Sequence, residues 1–104
     1  MRAFRLMFRV LALITLTASL FAGDQQAEDL YKSKCQGCHG PTGRASVIGK
    51  KLGAKDFQDP DVAKLSQAER AKIIADGKNK MPPYKSVFTD EQIKALAKYI
   101  REMK

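Results

Sequence analysis

The chain has 104 residues, with 19 Lys and Arg against 11 Asp and Glu for a formal charge of +8, and its only cysteines are Cys35 and Cys38. That length holds one small domain, a single cysteine pair is too few for a disulfide scaffold, and the positive excess bears on partners rather than on fold.

Arg2, Arg5 and Arg9 precede an apolar run from Val10 to Leu20, interrupted by Thr15, Thr17 and Ser19 and followed by Ala22 and Gly23. This is the layout of a secretory signal peptide. A spanning helix needs about 20 predominantly apolar residues, so the run is too short for one and no permanent membrane span is expected. Residues 1–22 are therefore assigned to a signal peptide with an approximate cleavage site, residues 23–104 to one domain, and the protein to the periplasm. Export also argues against nucleic acid as a partner. Processing removes three arginines and no acid, so the domain stays basic. A domain this small usually needs a staple beyond its own core, and a disulfide across two intervening residues closes too short a loop to supply it.

The domain reads as helices and loops, with no sustained two-residue alternation. Residues from about Ala27 to Lys34 form the first helical candidate, with Leu30, Tyr31 and Lys34 spaced to share a side. From Gly40 to Pro60 the chain is rich in Gly and Lys, which predicts loop with room for a single turn. A helix is predicted from Ser66, whose side chain and that of Glu69 form a capping box, to Gly77. Lys78 to Phe88, with Met81, Pro82 and Pro83, predicts a stiff loop. A last helix starts at Thr89, with Gln92 in the reciprocal position and Asp90 and Glu91 in the favourable first turn. Ile93, Leu96, Ala97 and Ile100 give it an apolar stripe. Leu52, Phe57, Ile73, Ile74, Val87, Phe88, Ile93 and Leu96 are the candidate core and cofactor-lining residues.

Cys35, Gln36, Gly37, Cys38 and His39 spell C-x-x-C-H, the sequence signal for covalent attachment of haem c. Two thiols separated by two residues reach the two vinyl groups of one porphyrin, and the adjacent imidazole then lies beneath the iron. The rivals are weaker. Zinc normally takes four protein ligands and this chain has two Cys and one His. A thioredoxin-like dithiol follows a strand in a βαβ unit, and a structural disulfide leaves His39 unexplained.

The second iron ligand follows by elimination. His39 is the only histidine; Met1 and Met7 lie in the signal segment, and Met103 lies at the far end of the last helix. Met81 alone sits in a stiff loop, and Pro82 holds it to extended backbone. A His/Met pair raises the reduction potential and favours electron transfer. Cys35, Cys38, His39 and Met81 are thus the cofactor-binding candidates, His39 and Met81 the metal ligands.

On these residues the sequence resembles class I monohaem c-type cytochromes of the small soluble bacterial type. Three segments carry the likeness: Leu30, Tyr31 and Lys34 leading into Cys35 to Gly40; Gly77 to Tyr84; and Leu96 to Ile100. The resemblance implies an all-α cytochrome c fold, three or more helices wrapped around one covalently bound haem. In it the N- and C-terminal helices cross at Tyr31, Leu96 and Tyr99. One departure is Lys50 after Gly49, where the family often has a proline whose carbonyl binds the axial histidine.

The function expected is single-electron shuttling between periplasmic or membrane-bound redox partners by a monomer, not catalysis. The partner would be an oxidase, reductase or dehydrogenase, steered by Lys78, Lys80 and Lys85 if its docking surface is acidic. The alternative is a haem peroxidase-like enzyme or small-molecule sensor in which Met81 is labile. No acid or base stands beside Met81 to support peroxide chemistry. Tyr84 is read as a packed aromatic, with a haem propionate as its other conceivable partner.

Overall fold

The structure, a computed structural model, describes residues 23–104, so the signal peptide expected over residues 1–22 lies outside the described residues. In chain order the helices are α1 over residues 23–34, α2 Gln36–His39, α3 Val47–Lys51, α4 Pro60–Ala63, α5 Gln67–Asp76 and α6 Asp90–Arg101. Among the described residues there is no strand, and an isolated bridge pairs Lys78 with Met81. The all-α expectation holds. Helix α1 is already under way at residue 23, ahead of the expected start at Ala27.

The core forms where the first and last helices meet. Ile93, Leu96, Ala97 and Ile100 recur at helical spacing along α6, and all four are buried. Tyr31 of α1 lies over this stripe with its ring 5.4 Å from that of Tyr99, and Tyr31 and Leu96 are the largest fully buried side chains. This is the contact implied for Tyr31, Leu96 and Tyr99. Ile74 of α5 and Phe88 complete the cluster. Burying a side chain such as Leu96 contributes about 1.5–3 kcal/mol, whereas the exposed pair of Lys98 with Asp24 at 3.9 Å contributes under about 1 kcal/mol.

Both long C-terminal helices start as their sequences dictate. The Glu69 amide donates to Ser66 Oγ and the Ser66 amide to Glu69 Oε1, each at 3.1 Å. Thr89 and Gln92 make the same reciprocal pair at 2.9 and 3.2 Å. Each box satisfies two amides that a helix start otherwise leaves unpaired.

The stretch from Gly40 to Pro60 is mainly loop, as expected, with α3 as its single turn and α4 starting at its last residue. Helix α3 has no buried apolar stripe: Val47 and Ile48 are 72% and 63% exposed. It exists because Ser46 caps it, accepting from the Gly49 amide at 3.0 Å. In α4, Asp59 accepts from the Asp61 amide at 2.9 Å and Pro60 takes the first helical position. The other end is closed by buried Arg70, whose guanidinium donates to the carbonyls of Val62, Ala63 and Leu65. Leu52 and Val87, expected among the core-lining residues, are 43% and 57% exposed and do not belong to the protein core. Ile74, Phe88, Ile93 and Leu96 do belong, and Phe57 packs against it.

Candidate functional site

Helix α1 runs directly into the cysteine motif. The Cys35 amide donates to the Tyr31 carbonyl at 2.9 Å, and the Cys35 carbonyl accepts from the amides of Cys38 and His39 at 3.2 and 3.0 Å. Cys35, Cys38 and His39 therefore share one helical turn, where residues three and four apart are neighbours. Cys35 and Cys38 form no disulfide.

This turn is gripped from two directions. The Ser46 amide donates to the Cys38 carbonyl at 2.9 Å, and Ser46 Oγ donates to the Gly37 carbonyl at 2.7 Å. Gly49 lies so close to the Cys38 carbonyl that any Cβ there would overlap it, which explains a glycine inside α3. From the core side, the Tyr31 hydroxyl donates to the Gly40 carbonyl.

Burial shifts Cys35 and His39 in opposite directions. It pushes the Cys35 thiol up to about 11, and it pulls the His39 imidazole below its ordinary value, which keeps a neutral nitrogen donor at neutral pH. His39 Nδ1 is buried and has no hydrogen-bond partner among the described residues. The His39 ring instead stacks on Phe57, with centroids 4.8 Å apart and planes 28° apart.

Met81 reaches the same core by another route. Helix α5 ends at Gly77 with φ of 77°, and a Cβ there would lie 2.6 Å from the Met81 carbonyl oxygen. Lys78 and Met81 then exchange backbone hydrogen bonds of 3.1 and 2.9 Å, with Asn79 at φ 54° in the turn between them. The amides of Tyr84 and Lys85 return to the Ile74 and Ala75 carbonyls at 3.0 and 3.1 Å, satisfying acceptors that the end of α5 leaves open. Met81 packs partly buried against the core cluster, as Cys35 does. Tyr84 stacks on Phe88 at 5.2 Å and donates to the Lys34 carbonyl, beside Cys35, at 3.4 Å. Its phenol is raised by burial first and by nearby Cys35 and Cys38 second.

Met103 is not remote, contrary to the expectation. A Cβ on Gly43 would meet Phe57 Cδ2 at 2.5 Å and Met103 Sδ at 3.1 Å, so Met103 closes over Gly43 beside the ring that stacks on His39. Ser46 and Gly49 were absent from the sequence-derived site residues, and Phe57 was expected only as a core or cofactor-lining residue, not as a partner of His39. The Ser46 to Gly49 spacing is a readable cap signal, whereas Phe57 carries no local signal for a place beside His39.

The residues present fit a covalent haem. Two cysteines that form no disulfide lie one helical turn apart, directly followed by an imidazole whose Nδ1 is buried without a hydrogen-bond partner among the described residues. A thioether packs on the same core. Among the described residues no three His, Cys, Asp or Glu side chains cluster as a metal ion bound by protein alone would need.

Residues 22–100 match the family model described as cytochrome c oxidase, cbb3-type, subunit III. Among solved structures, the chain is similar to the KustC0563 c-type cytochrome, with 34% identity and a TM-score of 0.68 over 72% of this chain and 93% of that one. It is likewise similar to a tyrosine-to-phenylalanine mutant of Kustc0563, with 32% identity and a TM-score of 0.69 over 76% of this chain and 99% of that one. No curated protein matches the chain.

Proposed function

Because the chain belongs to the family described as cytochrome c oxidase, cbb3-type, subunit III, it is a monohaem c-type cytochrome with covalently bound haem c, and we propose that it carries single electrons through an iron ligated by His39 and Met81. Cys35 and Cys38 hold the porphyrin by thioether links. The haem supplies the one-electron iron couple; the chain supplies ligands, orientation and exclusion of water. The observation that carries this reading is the convergence of two separate segments, the Cys35 to His39 turn and the Met81 loop, on one core. From Gly77 to Phe88 there is no imidazole or carboxylate, which favours a carrier over peroxide chemistry.

Visible and near-infrared absorption tests the ligation. A low-spin spectrum with a methionine-to-iron charge-transfer band is expected, and Met81→Ala should abolish the band, lower the midpoint potential and leave the haem covalently attached. A band that survives Met81→Ala removes Met81 from the iron.

Exchange with other redox proteins belongs to this role. The docking surface is basic: Lys78 and Lys80 border Met81, while Lys85 is shared with Asp76 at 4.0 Å. Lys34, Arg44, Lys50 and Lys51 add charge within residues 30–55, while Lys32 pairs with Glu28 at 2.9 Å and Lys55 with Asp61 at 3.7 Å. An acidic partner is proposed, with electron transfer that slows steeply as salt is added; a rate indifferent to salt removes the idea. The chain is exported, with residues 1–22 as its signal peptide, to act in the periplasm as a monomer. No helix among the described residues is long and apolar enough to cross a membrane. N-terminal sequencing and size-exclusion chromatography of the exported product check these points.

A further inference from the structure

A ligating histidine normally donates its second ring N–H to a carboxylate, a carbonyl or water, which fixes the plane of the ring and strengthens it as a donor. In this chain His39 Nδ1 is buried, and no group among the described residues accepts from it. The ring nevertheless has a definite neighbour in Phe57, at a separation and tilt typical of an aromatic pair.

Phe57 is itself fixed on several sides. Its amide donates to the Gly43 carbonyl at 2.8 Å. Before it, Asp56 Oδ1 accepts from the Ala45 amide at 2.7 Å, and after it Gln58 Nε2 donates to the Thr42 carbonyl at 2.9 Å. Three hydrogen bonds thus join residues 56–58 to residues 42–45. The ring meets buried Tyr31 edge-on at 6.5 Å, and its edge lies against Gly43, where a side chain would strike it. A residue held only to fill space does not need its neighbours on both sides tied back to the segment that follows the haem motif.

We propose that Phe57 is a positioning residue that sets the plane of the His39 imidazole by stacking, in the role that a hydrogen-bonded Nδ1 usually plays. A flat face beside the ring restricts its rotation about the bond to iron. Without an acceptor at Nδ1, the imidazole also remains a weaker donor than a hydrogen-bonded one. The inference rests on ligation of the iron by His39.

Electron paramagnetic resonance of the oxidised, haem-loaded protein, recorded beside its absorption spectrum, tests this. The parent protein should give one low-spin rhombic signal. Phe57→Leu, which stays apolar but loses the flat face, should shift or split that signal while the methionine band persists, and Phe57→Tyr should restore the parent signal. If the leucine variant does not mature, Phe57→Met is read in the same way. A signal in the leucine or methionine variant identical to the parent's overturns the proposal and reduces Phe57 to packing. A parent spectrum with no low-spin histidine-ligated haem overturns instead the ligation on which it rests, so the two failures are distinguishable.

Discussion

The Cys35 to His39 turn is gripped by Ser46 and Gly49 from one side and by Tyr31 from the other, whereas the segment carrying Met81 is held mainly by its anchors at the end of α5. On the first side the abutting helices α1 and α2, a core tyrosine and backbone contacts all fix the same few residues. On the second, a bridge between Lys78 and Met81 and two hydrogen bonds donated by the Tyr84 and Lys85 amides hold the loop. Local stability follows the density of buried contacts, so the two axial positions differ in kind. The histidine side should persist until the core itself unfolds, and the methionine side should be the first to let go.

The largest effect should come from breaking what both sides share. Leu96 is fully buried in the cluster with Tyr31, and Leu96→Ala should cost about 2–5 kcal/mol, a substantial part of the 5–15 kcal/mol or so that holds a domain folded. In a thermal melt of that variant, loss of helix and of the methionine band should coincide. Next comes Gly77→Ala, which forces a side chain into a left-handed position at about 1–2 kcal/mol and presses on the Met81 carbonyl. Its methionine band should fade at temperatures where far-ultraviolet circular dichroism still reports an intact fold. Simultaneous loss of both signals would show that the two sides are not separable.

Ser66→Ala removes a cap at the far end of α5 from the loop and should cost about 1 kcal/mol, read as a lower Tm with the band unchanged. Lys85→Ala should have the smallest effect. It breaks only an exposed pair with Asp76, worth under about 1 kcal/mol, and leaves the Lys85 amide on Ala75. A marked loss of the band in that variant would mean that side chains, and not backbone anchors, hold the loop.

The parts legible in the sequence are those whose physics is local. Ser66 with Glu69 and Thr89 with Gln92 announced two helix starts because a capping box is complete within four residues, and the α6 stripe announced a buried face because its spacing repeats. The C-x-x-C-H turn was legible for the same reason. Helix α3 was foreseen only as an unplaced single turn and α4 not at all, since neither carries a repeating apolar pattern, although Asp59 followed by Pro60 is a readable start. Helix α3 is held by Ser46 reaching back to Gly37 and Cys38, and α4 by Arg70 reaching back from α5. Such contacts between separated segments leave no periodic trace. The stacking of Phe57 on His39 and the place of Met103 over Gly43 escaped for the same reason, and Leu52 and Val87 lie outside the protein core because hydrophobicity alone does not fix a direction.

The most direct test is of the covalent link, made on protein exported from a host that attaches haem c. After denaturation and extraction with acidified organic solvent, the account predicts that the polypeptide keeps its red colour, gains the mass of one haem and has no titratable thiol at Cys35 or Cys38. A colourless polypeptide of unmodified mass with both thiols free would contradict it.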